Sequence, residues 1–139
     1  MKSLLTAAVA AVMLIGVLPA NAFAQGMMRG GYRYDTRTVQ TVSGEVLSVE
    51  KVRYGRRGYY GVHLVLKTSE GEIAVHLGPS WFMERQALQI AAHDEIEVTG
   101  SRVTYEGKPA LIAAEVKKGT ETLRLRSESG LPLWRRGSR

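Results

Sequence analysis

Residues 59–77, YYGVHLVLKTSEGEIAVHL, carry the pattern that decides the fold. Val62, Leu64 and Leu66 alternate with His63, Val65 and Lys67. After Thr68-Ser69-Glu70-Gly71, the residues Ile73, Val75 and Leu77 alternate with Glu72, Ala74 and His76. A period of two belongs to a strand with one face buried, and two such runs around a Gly-containing break form a hairpin. The aliphatic set then faces a core, and His63, Val65, Lys67, Glu72, Ala74 and His76 share the outer face. A connection at 68–71 pairs Lys67 with Glu72, Val65 with Ala74 and His63 with His76. A tighter turn at Glu70-Gly71 sets His76 opposite Val65 and leaves the histidines diagonal, still on one face. A slip by one residue opposes Leu64 to His76 and breaks the apolar face, so it is excluded.

Working outward, Val42, Val46, Leu47 and Val49 form a β-rich stretch with Gly44 and Ser48 interleaved. It reads as a long, bulged first strand starting near Val39. The basic loop RYGRRG, residues 53–58, joins it to the hairpin. Downstream, Gly78-Pro79-Ser80 stops the sheet, and Ser80 can cap a helix from Trp81 to about Ala92. Trp81, Met83 and Leu88 form its apolar stripe. Glu95 to Val103 alternates as a fourth strand, interrupted at Gly100-Ser101. Tyr105-Glu106-Gly107-Lys108 is a turn, and Ala110 to Val116 is a fifth strand. Gly44, Gly78 and Gly100 serve bends, and Trp81 and Trp134 are core or seam residues.

The order β-β-β-α-β-β predicts an all-β domain with one helix over residues 39–118. The expected form is a five-stranded OB-fold-like Greek-key barrel, with an open α+β sheet as its rival. Residues 119–139 form a C-terminal extension with a short strand, Thr122 to Arg126, and a basic tail containing Pro132 and Trp134.

Residues 1–24 read as a signal peptide. Lys2 supplies a positive start, Leu4 to Leu18 is almost wholly apolar, and Ala22-Phe23-Ala24 is a small-x-small cleavage pattern. The apolar run is shorter than the roughly 20 residues a spanning helix needs, so no transmembrane anchor is expected after cleavage. Residues 25–38, rich in Gly, Arg and Tyr, are expected to be a disordered basic leader. The expected location is periplasmic or secreted.

The chain has no cysteine, which excludes disulfides, Cys-ligated metal sites and covalent c-type haem. Its formal net charge is +6, and Lys2 is the one charged residue in 1–24, so the excess belongs to the remainder. Such a balance favours an anionic ligand or an acidic protein partner in the cell envelope. No Ser-His-Asp spacing, Gly-rich phosphate loop or HExxH motif is present. The expectation is a non-enzymatic binding module without a cofactor.

Several stretches carry a family likeness. TVSGEVLSVEKV and EIEVTGSRVTYEGKPALIAAEV are similar to bacterial periplasmic OB-fold proteins. VHLGPSWF, VTGSRVTYEGKPALIAAEV and LRLRSESGLPLW resemble the domain of MamS/MamX-type magnetosome proteins and their exported relatives. The resemblance spans about residues 39–134 and implies an exported OB-like domain. MamX-type proteins carry c-type haem motifs, and without cysteine that role is not carried over.

In OB-folds the outer face of strands two and three, with the loops after strands one and four, is the usual binding surface. Here it presents Arg53, Tyr54, Arg56, Arg57, Tyr59, Tyr105 and Lys108 as candidate ligand-binding residues. Arginine interleaved with tyrosine suits phosphates and stacked rings. His63 and His76 are the candidate metal pair: opposed residues bring two imidazoles close enough to share a divalent, copper-like ion. Metal handling in an envelope redox or magnetosome-like pathway is one alternative function. Nucleic-acid binding is the other.

Overall fold

The computed structural model describes residues 33–137. Six strands and one short helix follow in the order β1 (Val39–Tyr54), β2 (Tyr59–Thr68), β3 (Gly71–Pro79), α1 (Ser80–Met83), β4 (Glu95–Tyr105), β5 (Lys108–Lys118) and β6 (Glu121–Arg124). The structure is mostly antiparallel β-sheet. The expected signal peptide lies outside the described residues, as do residues 25–32 of the expected leader. Residues Thr36–Thr38 form a 3-10 turn whose preceding residue, Asp35, accepts a hydrogen bond from the Arg37 N–H. The Asp35 N–H donates to the Ser101 hydroxyl at 2.9 Å, tying this segment to β4.

The central hairpin has the first of the two registers that the alternation allows. Lys67 pairs with Glu72, Val65 with Ala74 and His63 with His76. Thr68 also pairs with Gly71, so Ser69 and Glu70 alone make the turn. Val62, Leu64, Leu66, Ile73, Val75 and Leu77 are all buried. Leu77 bulges out of the ladder between the pairs Val62–Gly78 and His63–His76.

β1 is long because it serves two partners. Val39 to Glu45 pairs with β4, and Glu45 to Tyr54 pairs with β2, with a bulge between Val46 and Ser48. A strand that changes neighbour must coil tightly, and Gly44 sits at that change. A Cβ there would run into the Lys67 carbonyl. Gly100 plays the same part on β4, where a Cβ would strike the Ile112 carbonyl at the bulge between Thr99 and Gly100. Both glycines let backbones approach as no other residue would. β3 also pairs in parallel with β5, through Ala74–Ala110, Val75–Leu111 and His76–Ile112. Each of β1 to β5 therefore has at least two strand neighbours.

The helix is much shorter than the sequence predicts. It spans Ser80–Met83 instead of running to about Ala92, and Pro79, not Ser80, occupies the cap without a side-chain bond. The reason lies in the next apolar residues. Leu88 is buried and Ile90 packs on the same core. Two residues apart, they point to opposite sides of a helix but to one side of an extended chain. The side-chain amides of Gln86 and Gln89 add hydrogen bonds to the carbonyls of Phe82, Met83 and Gln86 where the helix ends. Met83 is buried as expected, but Trp81 is 42% exposed and meets Arg85 rather than the core.

The C-terminal extension contributes to the core. Leu123 and Leu125 are buried, and β6 pairs antiparallel with β5 from Glu115–Arg124 to Lys118–Glu121. Trp134 packs against the core cluster from outside. Among the described residues, every core residue lies between Val42 and Trp134. No helix among them is long and apolar enough to cross a membrane.

Candidate functional site

The outer face of β2 and β3 is organised around its two histidines. The His63 and His76 rings stack at 3.8 Å between centroids and 2° from parallel. Tyr105 meets both edge-on, at 6.0 and 4.7 Å. Tyr105 is placed there by the β4–β5 turn. Glu106 and Gly107 have φ of 49° and 78°, the pair of positive angles that closes a two-residue hairpin.

The stack corrects one expectation. The alternation puts both histidines on a solvent face, yet His76 is only 5% exposed. β5 lies against β3 at this point, and Tyr105 and His63 cover the ring. Burial disfavours the imidazolium, and the neighbouring His63 adds like charge, so the His76 pKa falls from its ordinary 6.5 to about 3. His63 is lowered too, chiefly by burial, with Glu50 and Glu106 opposing the shift. Both rings are neutral at pH 7.

This geometry bears on the metal alternative. Imidazole lone pairs lie in the ring planes, so two parallel stacked rings aim their nitrogens side by side rather than at a common point. Joint ligation of an ion would require the stack to open. Among the described residues, no group of three or more His, Asp or Glu side chains is placed to hold a metal ion. The third histidine, His93, sits apart on the loop after α1, with its Nδ1 3.1 Å from a Glu45 carboxylate oxygen.

The stack divides two depressions. The larger is a groove of about 450 Å³, lined among others by Arg53, Tyr54, His63, Tyr105, Arg126 and Trp134. The smaller, about 210 Å³, carries Glu50, Glu106 and Lys108 around the same histidines and Tyr105. Gly61 lies low in the groove between Tyr54 and His63, each within 4 Å of where its Cβ would stand. A third depression, of about 460 Å³, lies by the β2–β3 turn. Its charged residues, Glu70, Glu72 and Arg102, are of both signs, and it holds neither an aromatic ring nor a candidate residue.

The candidate ligand-binding residues thus separate. Arg53, Tyr54 and Tyr105 meet in the large groove, and Lys108 faces the smaller recess. Arg56, Arg57 and Tyr59 line neither and project at the β1–β2 tip.

Two residues of the groove were not among the sequence candidates. Arg126 has its guanidinium 5.0 Å from the Trp134 ring and 5.7 Å from the Tyr34 ring, and its Nη1 donates to the Gly130 carbonyl at 3.0 Å. Trp134 in turn meets Phe82 at 5.5 Å. It also covers Gly78, where a Cβ would stand 2.9 Å from Cζ3. The two arms of the chain therefore fix a charge at the groove's edge through two cation–π contacts. The signal was present in LRLRSESGLPLW, where Leu123 and Leu125 alternate with Arg124 and Arg126 before a Pro and a Trp.

The family model for the MamS/MamX magnetosome protein family matches residues 38–123. The chain belongs to this family. The matched segment runs from β1 into β6, so it contains the histidine stack, Arg53, Tyr54 and Tyr105. Arg126 and Trp134 lie beyond the matched residues. No curated protein matches the chain.

Proposed function

We propose that this chain is an exported, non-enzymatic binding module of the OB-fold kind. Its large groove takes an anionic ligand or an acidic segment of a protein partner. The OB-type reading is supported by the pairing circuit β1–β2–β3–β5–β4–β1, with a helical turn between β3 and β4. Export is supported by the apolar run at 4–18 and the Ala22-Phe23-Ala24 pattern.

One observation carries the binding reading. Arg53 and Arg126 share a groove with Tyr54, Tyr105 and Trp134, while the histidines between them are neutral. Fixed guanidinium forks match carboxylate and phosphate geometry, and the rings supply apolar walls that exclude water. Arg126 is held by its two aromatic neighbours, so little ordering is lost when an anion arrives.

The test is thermal unfolding of the chain with inorganic polyphosphate, a poly-glutamate peptide, a short oligonucleotide and copper or zinc salts. A native-state ligand raises the midpoint by mass action. The proposal expects a salt-sensitive rise with polyphosphate or poly-glutamate. A rise with metal alone would transfer the function to the histidines, and a rise with oligonucleotide alone would make this a nucleic-acid module.

A further inference from the structure

The β1–β2 tip is a second surface, chemically coherent and separate from the groove. Across residues 51–60 there are four cations, Lys51, Arg53, Arg56 and Arg57, and no acidic residue. Lys51 is paired with Glu84, and Arg53 lines the groove, which leaves Arg56 and Arg57 at the turn itself. Flanking them, Tyr54, Tyr59 and Tyr60 are 49%, 51% and 46% exposed. Three large aromatic side chains half out of the fold within seven residues is an unusual outlay for a small domain. The other exposed large apolar residues, Val39, Val49, Trp81 and Leu131, are scattered along the chain and form no such cluster in sequence.

The shape of the tip selects the partner. Arg56, Arg57, Tyr59 and Tyr60 line none of the three depressions and are all exposed, so the tip is a projection. Register sets Tyr54 opposite Tyr59 and Arg53 opposite Tyr60, so the tyrosines lie on both faces of the hairpin with the arginines between them. A nucleic acid or an acidic peptide engages such groups along one face. A lipid surface accepts a projecting end whole: phenol rings settle at headgroup depth and arginines meet the phosphates.

We infer that the β1–β2 tip docks on an anionic lipid bilayer through Arg56, Arg57, Tyr59 and Tyr60, the tip residues that do not line the groove. The groove is left open to solution beside the membrane. This does not depend on what the groove binds.

The test is amide hydrogen exchange of the full chain on vesicles of phosphatidylcholine, with and without phosphatidylglycerol. The readout is residues 53–60, which keeps it apart from any insertion by the apolar run at 4–18. The β2–β3 turn at 68–71, at the other end of β2, is the internal control. Exchange at 53–60 is expected to slow on phosphatidylglycerol vesicles only, and to recover in high salt, while 68–71 stays unchanged. Arg56→Gln with Arg57→Gln should weaken this interaction about 25-fold, roughly fivefold per arginine. Tyr59→Ser with Tyr60→Ser, checked for an intact sheet by circular dichroism, should weaken it as well. Unchanged exchange on phosphatidylglycerol vesicles overturns the inference. So does equal slowing by soluble polyphosphate or an oligonucleotide, which would make the tip a site for soluble polyanions.

Discussion

His63 and His76 stack face to face at 3.8 Å, and only one of them is exposed enough to meet water readily. Two imidazoliums at that distance repel, so at least one ring must be neutral, and burial makes His76 that ring. The unfolded chain binds a proton at each histidine near pH 6.5, whereas folded His76 resists protonation down to about 3. Below pH 6.5 the unfolded state therefore holds more protons, and stability falls as pH falls. Asp35 and Asp94 are held below their ordinary 3.8 by hydrogen bonds from Arg37 and Lys118, so their contribution is lost only at lower pH. Urea unfolding should therefore show a loss of stability between pH 6.5 and 4, on the order of 1.4 kcal/mol per pH unit at its steepest. His76→Phe keeps a ring against His63 and removes the titration, so most of that slope should vanish.

The two glycines at close backbone approach give a sharper structural prediction. Gly44→Ala and Gly100→Ala each drive a methyl into a carbonyl of the adjoining strand. Neither carbonyl can retreat without breaking the sheet, so each substitution should cost about 2–3 kcal/mol in urea unfolding. Gly55→Ala is the contrast. Its φ is 70° but nothing lies within 4 Å of the new methyl, so only the left-handed strain of about 1 kcal/mol remains.

Trp134 links the fold to the groove. Trp134→Ala removes the ring that covers Gly78, meets Phe82 and lies under the Arg126 guanidinium. A loss of about 2 kcal/mol is expected, below the usual cost of a fully buried Trp because this one is partly exposed. If Arg126 serves the groove, polyphosphate should stabilise this variant much less than the parent chain. Comparing melting shifts at one ligand concentration checks it.

The strands were legible because their alternation is strict. Val62, Leu64 and Leu66 against Ile73, Val75 and Leu77 put both histidines on one face and leave two registers, of which the structure has the one that pairs His63 with His76. The helix stops short because propensity yields: Glu84 to Leu88 are good helix formers, but Leu88 and Ile90 must reach the same core. The burial of His76 was hidden for another reason. A period of two assigns a face, but it does not say that β5 and Tyr105 will cover that face. The groove was half visible: Arg53, Tyr54 and Tyr105 follow from the loops of the topology. Arg126 and Trp134 are marked only by the alternation and the Pro-x-Trp of LRLRSESGLPLW. Their place in the groove depends on a tail folding back over Gly78, a tertiary contact that this local pattern does not give.

The central claim is that anion binding is focused in the groove and not spread over the basic surface. Isothermal titration with inorganic polyphosphate, at about 0.15 M salt where charges beyond roughly 8 Å are screened, separates the two. Arg53→Glu places an acid in the groove, and Arg56→Glu with Arg57→Glu places two at the tip outside it. The groove account predicts at least about tenfold weaker binding for Arg53→Glu, equal to about 1.4 kcal/mol, and a smaller change for the tip pair. A larger loss from the tip pair, or no measurable binding by the parent chain, would contradict it.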